Sequence, residues 1–108
     1  MSESQMRKGV LELMVLAILD RTPSYGGALL ETLTGTGGTD ISSGTLYPLL
    51  SRLRRSGVLE TRWEESPVGP PRKIYHLTEH GQQRLTALRH DWATLVATVT
   101  DILEEDKP

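Results

Sequence analysis

The 108-residue sequence predicts a mainly α-helical protein with one small β-hairpin. Apolar residues recur at helical spacing in four segments of the chain. Between the third and fourth segments the period changes to the alternation that is typical of strands. The length corresponds to one domain with a modest core, so an enzyme with a deep internal cleft is not favoured.

The first half of the chain begins with two predicted helices and a loop. The first helix covers residues 5–20, has almost no polar face and ends before Pro23. The second runs from Ser24, as its N-cap, to Leu33. Residues 35–40 are rich in glycine and predict a flexible connection rather than a phosphate-binding loop, because no strand precedes them.

A third helix is predicted over residues 43–56, with Ser42 or Ser43 as its cap and Gly57 as its stop. Pro48 is expected near the first turn, whose amides have no helical partner. Leucines fall on one side of this helix at helical spacing. The opposite side carries Gly44, Tyr47, Pro48, Ser51, Arg52 and Arg55.

A hairpin and a fourth helix complete the chain. Residues 59–64 and 73–77 alternate in polarity around a turn rich in proline and glycine. Thr78 is expected to cap the last helix. That helix carries a regular apolar seam that predicts pairing with a second copy of the chain. The seam consists of Leu85, Leu88, Trp92, Leu95, Val99 and Ile102.

The order of these elements is that of a winged helix-turn-helix with an appended C-terminal helix. We therefore predict a winged helix-turn-helix DNA-binding domain over residues 1–77. Residues 78–108 are predicted to form a dimerisation helix with an acidic tail.

The charge distribution favours a nucleic-acid partner although the total does not. The net charge is −2, whereas nucleic-acid binders are often basic. Residues 41–77, however, hold six basic and three acidic side chains, and the acidic excess lies in the rest of the chain. The central third is therefore a basic island in an acidic protein.

Two parts of this island suit DNA contact. Small residues at the start of the third helix would let it approach a major groove, and its arginines would neutralise phosphates. An ordinary amphipathic helix with a solvated arginine face remains the alternative. At the hairpin tip, Arg72 and Lys73 follow a stiff turn and can lie along a phosphate backbone or enter a minor groove. A charged edge that discourages aggregation is the alternative there.

Several classes of site are not expected. The chain has no cysteine, and its three histidines lack metal-ligand spacing, so we predict no metal, cofactor or catalytic site. The N-terminus lacks the pattern of a signal peptide, and the longest apolar run is too short for a bilayer. These features predict a cytoplasmic protein without a membrane partner.

Several motifs of the sequence resemble the PadR family of bacterial transcriptional regulators. The strongest is GTLYPLLSRL at residues 44–53, followed by GVL at residues 57–59. RKG and LEL at residues 7–13, Tyr25-Gly26, Trp63 and GPPRKIYHLTEHG at residues 69–81 extend the resemblance over nearly the whole chain. A single terminal helix is similar to the short subfamily.

The resemblance implies a homodimeric winged-helix repressor that binds double-stranded DNA at a pseudo-palindromic operator. It also implies which residues contact the DNA. They are Lys8, Tyr25, Ser43, Thr45, Tyr47, Pro48 and Arg52, with Arg72 and Lys73 from the wing.

Trp92 leaves two interpretations open. On the seam it would fill a dimer core or stack a flat aromatic effector at the interface, and in some relatives a tryptophan in this region lines such a pocket. For the chain as a whole, a winged helix used for protein–protein contact is the alternative to a DNA-binding regulator.

Overall fold

A computed structural model describes residues 5–35 and 41–105 and confirms a mainly helical fold with a small sheet. No helix in these two ranges is both long and apolar enough to cross a membrane. Most of the predicted glycine-rich loop and the last three residues of the acidic tail lie outside the described residues. The elements in chain order are α1 Gln5–Gly9, α2 Leu11–Arg21, β1 Ser24–Tyr25, α3 Gly26–Gly35, α4 Ser43–Arg55, β2 Leu59–Glu64, β3 Arg72–Leu77 and α5 Glu79–Glu105.

The predicted first helix is two helices, because the chain breaks at Val10. This residue has φ −107° and ψ 5°, outside the α region, and its amide donates to the Arg7 carbonyl at 3.2 Å. That contact spans three residues instead of four, which is the pattern of a tightened final turn. The end of the helix is as predicted, since α2 stops at Arg21, two residues before Pro23.

A short strand replaces the predicted N-cap at Ser24. Ser24 and Tyr25 form β1, which pairs antiparallel with Tyr75 and Ile74 of β3, and α3 starts only at Gly26. The sheet therefore has three strands in the order β1-β3-β2, rather than the two of a hairpin. The Ser24 hydroxyl donates to the Thr22 carbonyl at 3.0 Å instead of capping a helix.

The core lies between the helices and one face of this sheet. Leucines of α2, α3 and α4 pack together and against Leu59 and Tyr75 of the strands. The end of α4 is fixed by Gly57, whose φ of +81° suits glycine. The Val58 amide donates to the Leu53 carbonyl at 3.0 Å, which completes the turn that closes the helix.

The start of α5 is held tightly against this turn, and Thr78 caps it as predicted. The Gly81 amide donates to Thr78 Oγ1 at 3.0 Å, and that hydroxyl donates to the Gly57 carbonyl at 2.6 Å. A Cβ on Gly81 would overlap the carbonyl oxygen of Val58. The absence of a side chain at Gly81 therefore lets α5 dock directly on the backbone.

The apolar seam of α5 is divided between two environments. Leu85 is 2% exposed and belongs to the core, so the prediction that it forms part of a dimer interface is wrong. Leu88 is half-buried against the same core. Every residue from Arg89 to Glu105 is exposed, and these residues extend about 25 Å beyond the domain at the helical rise of 1.5 Å per residue. The exposed apolar side chains there are Trp92, Leu95, Val96, Val99, Ile102 and Leu103.

Candidate nucleic-acid interface

Helix α4 presents the predicted polar face outward. Leu46, Leu49, Leu50 and Leu53 are buried in the core, which fixes the rotation of the helix about its axis. Four predicted contact residues lie on the exposed side, and Thr45 is half-buried near the N-terminus. The exposed four are Ser43, Tyr47, Pro48 and Arg52.

The first turn of α4 is open for a close approach. Ser42 occupies the N-cap position, but no side chain caps the helix there, and its hydroxyl donates instead to Thr45 Oγ1 at 3.4 Å. A Cβ on Gly44 would meet only the Ser42 hydroxyl, at 3.7 Å. Pro48 is the sixth residue of the helix and therefore lies past the first turn. Since proline has no amide hydrogen, the Gly44 carbonyl lacks its helical hydrogen-bond donor.

A cationic groove joins α1 and α2 to α4. It has a volume of about 470 Å³ and brings together four of the predicted DNA contacts, with Arg55 beside them. The four are Lys8, Thr45, Pro48 and Arg52. Glu12 of α2 also lines it. Arg52 and Arg55 belong to the last turn of α4, and together with Lys8 they form a suitable surface for a phosphate backbone.

The wing cations lie on opposite faces of the sheet. Arg72 places its guanidinium carbon 4.3 Å from the centre of the Tyr25 ring, a cation–π contact that links β3 to β1. Lys73 pairs across the strands with Trp63, whose side chain is 72% exposed. Because consecutive strand residues alternate, the side chains of Arg72 and Lys73 point to opposite faces of the sheet.

Tyr47 is held in place by a glycine. A Cβ on Gly26 would lie 2.5 Å from a ring carbon of Tyr47 and 2.7 Å from its hydroxyl oxygen. The ring therefore rests on the bare backbone at the start of α3 while 43% of the residue stays exposed. Below it, burial raises the pKa of the Tyr75 phenol, and the nearby Tyr47 adds to the rise, so Tyr75 stays neutral at physiological pH.

We expect Gly26→Ala to lower DNA affinity about tenfold while lowering the free energy of unfolding by only about 1 kcal/mol, since a ring can turn aside more easily than a backbone. The added methyl displaces Tyr47 from the outward face of α4. Anisotropy titration with labelled DNA, alongside urea denaturation, measures both effects. Gly35→Ala is the matched control, because it changes the other end of α3 where a Cβ meets nothing within 4 Å. Equal affinities for the two variants would contradict the role given to Tyr47.

Comparison with known proteins identifies the family. The model of the transcriptional regulator PadR-like family matches residues 15–87, more than half of the chain. The chain belongs to the PadR-like family. It is a DNA-binding transcriptional regulator and not an enzyme.

Solved PadR-like structures share both the fold and the length of this chain. A PadR-like transcriptional regulator from Bacillus cereus is 38% identical, with a TM-score of 0.84, over 93% of this chain and 97% of its own. A PadR-like transcription factor from Bacteroides fragilis is 41% identical, with a TM-score of 0.76, over 91% and 94%. A PadR family regulator from Eggerthella lenta is 37% identical, with a TM-score of 0.83, over 93% and 87%.

The structure groups the predicted contact residues of this PadR-like protein into three places: the cationic groove, the first turns of α4, and the wing with Tyr25. It also shows residues that the sequence interpretation missed. Gly26 supports Tyr47, and Glu12 lines the groove beside Arg52. The sequence does single out Glu12, because it is the only charged residue between Lys8 and Asp20 in an otherwise apolar stretch. In the described ranges no group of three or more acidic or histidine side chains forms a metal site.

Proposed function

We propose that this PadR-like protein is a homodimeric repressor that binds a pseudo-palindromic operator. In this proposal residues 1–77 form the DNA-binding domain and residues 78–108 form the dimerisation helix and tail. Each α4 enters a major groove about one DNA turn from that of its partner, and each wing contacts the flanking backbone. A dimer seated on a promoter represses by blocking the polymerase.

The cationic groove is the observation that carries the DNA contact. It places Lys8 of α1 beside Arg52 and Arg55 of the last turn of α4, and Thr45 and Pro48 from the earlier turns of α4 line the same groove, so that one surface offers both charge and polar contact along the helix. Tyr25 and Arg72 extend the contact surface to the wing. The full set of proposed contacts is Lys8, Tyr25, Ser43, Thr45, Tyr47, Pro48, Arg52, Arg72 and Lys73.

The exposed half of α5 supports the dimer. Six apolar side chains on one helix face are an unusual amount of exposed apolar surface for a small monomer, and a second copy would bury them. The proposed interface consists of Trp92, Leu95, Val96, Val99, Ile102 and Leu103, with the open part of Leu88. Pairing through the C-terminal helices fixes the separation of the two DNA-binding domains.

The salt dependence of binding tests the DNA contact. For an operator duplex recovered by selection from a random pool, we expect the affinity to fall with salt by about 0.9 log units per log of salt for each phosphate contacted. Arg52→Ala should weaken binding and reduce that slope by about one contact. Arg21→Ala is the matched control, because it removes the same charge at the end of α2, about 14 Å along the helix from Glu12 of the groove. It should leave the slope unchanged. A protein that binds no duplex at low salt would instead fit a protein-binding module.

A groove beside Trp92 supports an aromatic effector, which we propose as the releasing ligand. It measures about 210 Å³ and lies between the α1–α2 junction and α5, where Val10, Leu13, Leu88, Trp92 and Leu95 provide apolar walls. In the dimer this groove adjoins the interface, so a planar ligand stacked on Trp92 would alter the angle between the two DNA-binding domains. Calorimetry with a panel of planar aromatic compounds tests this part, and no binding across the panel would contradict it.

A further inference from the structure

Glu12 is the point at which three helices of the protein meet. The Oε2 atom of Glu12, on α2, accepts a hydrogen bond from Nε of Arg84 on α5 at 2.7 Å. Its Oε1 atom lies 3.8 Å from Nη2 of Arg52 on α4. The Glu12 side chain is only 16% exposed, whereas both arginines are far more exposed. One largely enclosed carboxylate is thus shared between the DNA-reading helix and the C-terminal helix.

Glu12 also separates the two grooves described above. It lines the cationic groove together with Arg52, and it lines the groove of Trp92 together with Arg84. A displacement of Arg84 at one groove therefore changes the charge environment of Arg52 at the other without a change in the backbone.

The two ion pairs are unequal, and that inequality determines the behaviour of Arg52. The pair with Arg84 is short and hydrogen-bonded, so Glu12 interacts more strongly with Arg84 than with Arg52. The same hydrogen bond raises the pKa of Arg84. The pair with Arg52 is longer, which leaves the Arg52 guanidinium able to leave Glu12 for DNA. Without Arg84, Glu12 has Arg52 as its partner, and Arg52 also loses the repulsion of a nearby cation.

We propose that Glu12 restrains Arg52 and that Arg84 relieves this restraint, so that the state of α5 sets how readily Arg52 contacts DNA. This inference rests on the proposed function, because it requires that Arg52 binds the operator. Glu12 and Arg84 are positioning residues, since both act through Arg52. Whatever draws Arg84 away from Glu12 then weakens DNA binding.

Operator affinity measured by anisotropy at one salt concentration tests the inference. Arg84→Ala should weaken binding about three- to tenfold, which is the range expected for impairing one arginine contact. The control Arg89→Ala removes the same charge from an exposed position on another side of α5 and should change affinity less than about twofold. The double variant Arg84→Ala with Glu12→Gln should return to within about twofold of wild type, because the restraint itself is gone.

Rescue by Glu12→Gln separates this restraint from a structural role. If Arg84 merely anchored α5, removing Glu12 as well would not restore binding, and Arg84→Gln serves as a second variant that preserves most of the side chain. Any one of three results would overturn the inference alone. They are an Arg84→Ala variant that binds like Arg89→Ala, a double variant that binds no better than Arg84→Ala, and a Glu12→Gln single variant that binds more weakly than wild type. Wild-type protein that binds no duplex at low salt would overturn the proposed function as well.

Discussion

Val99→Glu is expected to convert the proposed dimer to a monomer and to lower operator affinity about 100-fold or more. Val99 lies at the centre of the exposed stripe on α5, where a two-fold dimer would bury two unpaired carboxylates. Separating the domains removes the avidity of two linked contacts, which is worth about 10²–10⁴ in affinity. The folded domain should be unaffected, because Val99 lies well beyond the last core contact of α5.

Sedimentation velocity and anisotropy titration measure the two effects of this substitution. Ala97→Glu is the matched control, because it adds the same charge to the same helix on nearly the opposite side from Val99. The control should remain a dimer and bind as wild type. A Val99→Glu protein that sediments as a dimer would show that the stripe is not the dimer interface.

Gly81→Ala is expected to lower the free energy of unfolding by about 3 kcal/mol, at the upper end of overpacking effects. The methyl group would overlap the Val58 carbonyl oxygen, a backbone atom fixed by hydrogen bonds from the amide and the hydroxyl of Thr78, and would also press on Leu77. Since α5 docks at this point, the strain is passed to the whole junction between the wing and the C-terminal helix.

Urea denaturation of Gly81→Ala, followed by circular dichroism, gives this free energy. Gly9→Ala provides the comparison, because Gly9 is also helical but a Cβ there meets nothing within 4 Å. Alanine at Gly9 should be neutral or should stabilise by up to about 1 kcal/mol through helix propensity. If the two variants unfold at the same urea concentration, the close approach of α5 to Val58 has no energetic consequence.

Local sequence signals predicted most of the fold. The leucine spacing of α4, the left-handed glycine at Gly57 and the cap at Thr78 each depend on a few neighbouring residues, and the structure has all three. The strand at Ser24–Tyr25 was missed because two residues show no alternation, and only pairing with β3 makes them a strand. The break at Val10 was missed because a single glycine, Gly9, before an apolar run is also compatible with one continuous helix.

The site shows the same division between local and non-local information. The outward face of α4 follows from its own sequence, and so the exposure of Tyr47 and Arg52 was predictable. The support of Tyr47 by Gly26, and the sharing of Glu12 by two arginines, join segments far apart in the chain. Likewise, a heptad seam does not distinguish packing within a chain from packing between chains. For this reason the sequence placed Leu85 in the dimer interface, whereas the structure has it in the core of the chain.

The division of the α5 seam has a mechanical consequence. Helix α5 is continuous from Glu79 to Glu105. Its first turns pack against the domain that carries α4, and its remaining turns form the proposed interface between the two subunits. Because α5 has no break between its packed first turns and the proposed interface, it cannot bend to accommodate a change in the angle at which the two copies of α5 cross. Any change in the crossing angle at the proposed dimer interface therefore rotates both α4 helices. The spacing of the operator half-sites then reports the angle at which the two α5 helices cross.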